Sequence, residues 1–192
     1  VSMKLESAIT RLSGAQINVQ NAISFLEVQD GVMDAAGKIL NRMIELKGLS
    51  EDVMKNVSDK QNYNREFQDL QMQIYDMTQV QFNGVSLFAT TVSDASGGNA
   101  KIGGLTTDNT VSVFTSAEGS SGTIVSVGKA LLLSALTIDE GNLSNAKEFQ
   151  EADAANDISS FAAENIGDAI NLADVSVGVF TQALENIATL RA

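Results

Sequence analysis

Few side chains in this chain have the type and spacing to do chemistry. Ser126 and Lys129 stand at the Ser-x-x-Lys spacing that sets a hydroxyl beside an amine in some acyl-transfer enzymes. The Ser-Asp-Asn and Lys-Thr-Gly elements of those enzymes do not occur, so chance spacing is the better reading. Asp30 and Asp34 would share one helical face and could offer two carboxylates to a cation, although pairs four apart are common by chance. Around residues 122–130 the glycine spacing is wrong for a phosphate loop, and Ala130 lacks the hydroxyl that would hold magnesium. Cys and His are absent, which removes thiolate nucleophiles, imidazole bases and soft metal ligands together. The chain reads as a non-enzyme, with no catalytic residue, no cofactor and no metal site.

Composition narrows the partners. The 192 residues carry 24 acidic side chains against 12 basic ones, a net charge of −12, with no basic cluster to follow a phosphate backbone. Nucleic acid is therefore excluded as a natural partner. Much of the imbalance lies after residue 138, where Lys147 and Arg191 are the only cations, and a solvated, self-repelling face is the simplest account. No apolar run reaches the eighteen or so residues of a membrane span, so no insertion in a membrane is expected. The absence of Pro suits long unbroken helices.

Those helices are written in the heptad pattern. Leu5, Leu12, Val19, Leu26, Met33 and Leu40 stand seven apart, which returns them to one face of a helix. Ala8, Ala15, Ala22 and Ala36 lie three further on, with Gln29 interrupting the small row, so a partner helix could approach closely. The repeat marks a helix of some forty residues, a rod of about 60 Å, within a helix predicted over about residues 3–47, with Gly48 as its stop. After a connection at 52–59, Tyr63, Phe67, Leu70, Ile74 and Met77 predict a second helix over about 59–81, antiparallel to the first because the connection is short. Asn83-Gly84 is a turn signal between extended residues. Alternation in residues 110–114 and 123–127 predicts two hairpin strands within a Gly/Ser/Thr-rich stretch. A short helix is expected at 129–136 and a polar loop at 137–145. Ile166, Ala173, Phe180 and Ile187, with Ile170, Val177 and Leu184 four residues on from the first three, predict a third heptad helix over about 154–192. The fold class is mainly α: an elongated bundle of long helices with a small β-hairpin element in the middle. Its expected parts are an N-terminal rod half at 1–88, a β-rich middle at 89–136 and a C-terminal rod half at 137–192.

Several segments resemble bacterial flagellin. Residues 21–33, closing on Asp30-Gly31-Val32-Met33, resemble the family segment that ends in Gln-x-x-Asp/Glu-Gly-Ala-Leu. Leu40-Asn41-Arg42-Met43-Ile44-Glu45-Leu46 is similar to Leu-Gln-Arg-x-Arg-Glu-Leu, and Phe82-Asn83-Gly84-Val85-Ser86-Leu87-Phe88 to Phe-Asn-Gly-x-x-Leu-Phe/Leu. Residues 183–192 resemble the family's closing Ala-Leu-x-x-Val-x-x-Leu-Arg, and Ile102-Gly103-Gly104 with Asn109-Thr110-Val111 its Gly-containing hairpin. Four motifs in the right order are specific where any one alone would be weak.

The resemblance implies a flagellin rod core without most of the two terminal polymerisation segments, in a filament subunit located outside the cell in the flagellum. Implied partners are other flagellin subunits, the export machinery and chaperone through those termini, and the innate immune flagellin receptor. Implied interface residues for a subunit or receptor are Arg42, Glu45, Leu46, Asn83, Gly84, Leu190 and Arg191. Ile44 stands where the family carries a second Arg, a departure that weakens the expected receptor contact. From spacing alone, Arg42 and Glu45 form an ordinary i, i+3 surface pair. A severed rod core is expected to be monomeric. The competing readings are a hook–filament junction protein, and a flagellin-like surface carbohydrate-binding protein, for which two Tyr and no Trp offer few stacking platforms.

Overall fold

The computed structural model describes residues 1–88, 110–136, 138–139, 141–145 and 161–192, and the backbone of strand residues 92–93, 99–100 and 157–158. Helix α1 (Ser2–Ser50) is an unbroken 49 residues, about 73 Å of rod. It passes through Gly48 instead of stopping there. Glu51 closes it in a right-handed conformation, its N–H donating to the Lys47 carbonyl and the next N–H, of Asp52, to that of Leu49, so no left-handed glycine is needed.

Helix α2 (Val57–Thr78) starts two residues earlier than the apolar pattern suggests. The cause is a capping box: Asn56 accepts from the Asp59 N–H at 2.8 Å while the Asp59 carboxylate accepts from the Asn56 N–H at 3.3 Å. The predicted antiparallel pairing holds. Residue 42 of α1 meets residue 66 of α2, and Gln29 meets Leu87 just beyond α2.

A tight hairpin follows, β1 (Gln81–Phe82) with β2 (Val85–Ser86). Asn83 and Gly84 both have positive φ, 51° and 79°, as a type I′ turn requires. Two backbone strands, β3 (Val92–Ser93) and β4 (Asn99–Ala100), pair antiparallel. The expected longer hairpin is present as β5 (Thr110–Phe114) and β6 (Ile124–Gly128), in register from Thr110 opposite Gly128 to Phe114 opposite Ile124. The resembling residues 102–109 lie outside the described residues. Helix α3 is a single turn (Leu132–Ala135), shorter than predicted. The predicted polar loop at 137–145 contains a strand instead: β7 (Ile138–Asp139) pairs with β8 (Asp157–Ile158), and Ile138 is fully buried.

The third long helix is the main correction. Helix α4 runs only from Val177 to Arg191, and residues 161–176 are turns with one 3₁₀ turn at Leu172–Asp174. Side chains of α2 draw this segment out of helical form. Gln71 donates to the Ile170 carbonyl at 3.0 Å and accepts from the Ile170 N–H at 3.0 Å, as a neighbouring strand would. Asn64 accepts from the Leu172 N–H at 2.8 Å, and Asn165 accepts from the Gly167 N–H at 2.9 Å in a local turn. Ile166 is 42% exposed, so its seven-residue spacing from Ala173 is fortuitous.

The core sits where α1, α2, α4 and the 161–176 segment converge. Leu40, Met43, Leu46, Phe67, Ile74 and Phe180 are fully buried there. Phe180 stacks on Phe161 at 5.0 Å between ring centroids and meets Phe67 edge to face at 5.8 Å. Lys47 is buried with its ammonium satisfied by the Leu172 carbonyl at 3.1 Å and Glu51 at 3.4 Å.

Candidate assembly surface

The predicted interface residues separate into three environments. Arg42 lies across the α1–α2 seam: Nε and Nη2 grip both carboxylate oxygens of Glu66 at 2.7 and 3.2 Å, and Nη1 reaches Glu45 at 2.9 Å. The i, i+3 pair therefore exists, but the bidentate bond to Glu66 is the larger cause of the upward shift of the guanidinium pKa. Leu46 is completely buried in the core and offers no side-chain surface to a partner, which corrects its place among the interface residues. The same residue type in the same motif is needed inside because α4 and α2 both close on that face of α1.

Asn83 and Gly84 are exposed at the tip of the β1–β2 turn, beside α1. Leu190 packs partly against the core, and Arg191, at the end of α4, bonds Asp30 through Nε at 2.7 Å and Asp34 through Nη1 at 3.0 Å. The two carboxylates first considered for a cation are thus neutralised from within. Hydrogen bonding from Arg191 holds Asp30 below the usual carboxylate range, and Lys38, 3.0 Å away, does most of the same for Asp34. Among the described residues no group of three or more His, Cys, Asp or Glu is placed to hold a metal ion.

An exposed apolar strip lies on the first half of α1. Leu5, Leu12, Val19 and Leu26, four of the six heptad residues, are between 37% and 62% exposed, while Met33 and Leu40 of the same row are buried. Ile9 and Ile23, each four residues on from a member of that row, widen the exposed strip. A contiguous strip of this length on a surface marks an interaction site. Beside it Phe82 of the β1–β2 hairpin packs on Phe25, and the β5–β6 hairpin leans on α1, with Asn18 reaching the Phe114 carbonyl.

That hairpin is anchored by a residue that the sequence presented only as a flaw. Gln29, the break in the small-residue row, is buried and donates to the Leu87 carbonyl at 2.7 Å and the Gly128 carbonyl at 3.4 Å. It ties both hairpins to α1. Between them lies a groove of about 270 Å³, walled by Phe25, Phe82, Val111 and Val127 and rimmed by Asn18 and Asn83. Nothing in the sequence alone brings Phe25 to within 6.2 Å of the Phe82 ring. At the far end of α1, Val53 and Met54 are 91% and 86% exposed in the α1–α2 turn. No described helix is long and apolar enough to cross a membrane.

Comparison with known proteins agrees with this architecture. Residues 1–93 match the bacterial flagellin N-terminal helical region. The chain is 29% identical over 106 residues to the flagellar filament 31.3 kDa core protein of Treponema maltophilum. That match takes in 55% of this chain and 37% of the relative, so the chain spans little more than a third of the relative's length.

Proposed function

We propose that this chain, whose residues 1–93 match the bacterial flagellin N-terminal helical region, is a structural subunit of a flagellar filament, working outside the cell by packing lengthwise against other subunits. The observation that carries the reading is the exposed heptad face of α1. A helix whose apolar row is buried over one half and bare over the other is built to receive further helices alongside it in the assembled filament. A rod that meets its neighbours through unlike surfaces makes contacts that do not close, and such contacts propagate a helical array. The interface assigned to Arg42, Glu45, Asn83, Gly84, Leu190 and Arg191 narrows under this reading to the groups with exposed atoms, chiefly Asn83 and Gly84, since Arg42 and Arg191 spend their donors inside the subunit.

The test is seeded growth. The full native protein is added to sheared filaments and followed by electron microscopy. Long extension from the seeds supports a filament subunit. Attachment at the ends without elongation moves the assignment to a hook–filament junction protein.

A further inference from the structure

We propose that Asn142, and not Asn56, is a glycan acceptor, taking an N-linked sugar on its carboxamide nitrogen from a sugar diphosphate donor. This modification does not depend on the filament reading and belongs to the exposed loop at 141–145 that follows β7.

The sequence holds two Asn-x-Ser triplets, Asn56-Val57-Ser58 and Asn142-Leu143-Ser144, the spacing that transferases read for N-linked sugars. The fold puts them to different uses. Asn56 caps α2: its carboxamide oxygen accepts from the Asp59 N–H, three residues on, at 2.8 Å, and Ser58 lies within the helix. In that conformation the triplet is a helix start, and a transferase would have to unwind the first turn of α2 to read it.

Asn142 is arranged differently. Its carboxamide oxygen accepts from the Ser144 N–H at 3.1 Å, the Asx turn that brings the first and third residues of the triplet together. An amide nitrogen is a weak nucleophile because its lone pair is shared with the carbonyl, so a transferase must hold the carboxamide in one orientation while the nitrogen reacts. The Asx turn fixes the oxygen in advance. The nitrogen makes a long contact, 3.4 Å to the Asn145 Oδ1, which a substrate displaces at little cost.

The loop is held on the rod from behind. Leu143 packs partly against the core, the Ser144 carbonyl accepts from the Ser176 hydroxyl at 3.0 Å, and the Asn145 N–H closes on the Asn142 carbonyl at 2.9 Å. Asn142 and Ser144, on either side of Leu143, are exposed. A turn anchored at its middle residue presents its outer two to a partner from a fixed scaffold. A sugar on Asn142 therefore displaces no packed side chain.

The step balances as a substitution at the anomeric carbon of the donor. The bond from that carbon to the diphosphate oxygen breaks as its bond to Asn142 Nδ2 forms. The diphosphate leaves with the electron pair, and one amide proton passes to a base of the transferase. Catalysis belongs to that enzyme; this chain supplies the nucleophile.

Peptide mapping of the full protein isolated from the cells that make it tests the proposal. Trypsin separates the two triplets, releasing Asn142 within residues 130–147 and Asn56 within residues 56–60. Fragmentation mass spectrometry is expected to place a glycan on Asn142 and none on Asn56. Asn142→Gln and Ser144→Ala are each expected to abolish it, whereas Ser144→Thr keeps it. Transfer to the unmodified chain by the soluble fraction of those cells, given a nucleotide sugar, identifies a nucleoside diphosphate donor; transfer by the membrane fraction alone identifies a polyprenyl diphosphate donor. An unmodified 130–147 peptide overturns the proposal. So does a glycan that persists in Asn142→Gln, since it would sit on a hydroxyl. Glycans on both asparagines overturn it as well, because the Asx turn would then select nothing.

Discussion

The two halves of α1 carry one heptad pattern and meet opposite fates. From Gln29 onward, Met33, Leu40, Met43 and Leu46 are buried against α2 and α4, whereas residues 5–26 of the same helix present Leu5, Leu12, Val19 and Leu26 to solvent. The difference is in the neighbours and not in the repeat. Helix α2 ends at Thr78 and α4 at Arg191, which bonds Asp30 and Asp34, so the described helices flank only the second half. A seven-residue repeat identifies which face is apolar; what covers that face is decided elsewhere in the chain.

The sharpest way to break this comparison is to cut the same side chain in both halves. Leu40→Ala is expected to cost about 3 kcal/mol of stability in urea denaturation, through lost burial and a residual cavity. Leu12→Ala, at a side chain 61% exposed, should change stability by less than about 0.5 kcal/mol. Equal losses would mean that the first half is covered after all. Next in size is the junction that sets where α4 begins. Gln71→Ala strips the Ile170 N–H and carbonyl of their partner and should cost about 2 kcal/mol, with faster hydrogen exchange at Ile170.

The turn beside the bare half should respond more mildly. Gly84→Ala forces a side chain onto a φ of 79° and is expected to cost about 1 kcal/mol, although a Cβ there would meet no atom within 4 Å. An unchanged midpoint would show that the turn can relax its dihedrals freely.

The smallest effect lies at the boundary between the halves. The carboxyls of Asp30 and Asp34 are depressed below their ordinary 3.8 in the folded chain. Their contribution is therefore present above that value and is lost as pH falls through the lower, folded values. Arg191→Ala should flatten this acid limb of the stability curve and speed exchange in the last turn of α4. The groups are solvent-exposed, so the change is expected to be slight. A wild-type acid limb in the variant would assign the effect to Lys38 alone.

Particular residues show how much of this was legible in advance. The helical character of α1 and α2, their antiparallel pairing and the turn at Asn83 and Gly84 follow from spacing and turn chemistry, which are local. The start of α2 was also available in Asn56 and Asp59, a capping box that apolar periodicity passes over. By contrast, the seven-residue spacing coincides with helix at Phe180 and Ile187 and not at Ile166. The backbone at 161–176 is held by Gln71 and Asn64, some hundred residues away in sequence, and no local pattern reports bonds of that range. The candidate surface divides in the same way. The motif around Arg42 was visible, yet the burial of Leu46 and the groove at Phe25 were not.

By itself the sequence determined an acidic, cysteine-free chain of long heptad helices with a hairpin between them, because periodicity, turn residues and charge act over a few residues at a time. Only the tertiary structure decided which stretch of the heptad row is core and which is surface, that Gln29 fastens two hairpins to α1, and that Arg191 neutralises Asp30 and Asp34. Those outcomes depend on which distant groups arrive to bury an apolar face or satisfy a polar one, and that is settled only when the whole chain packs.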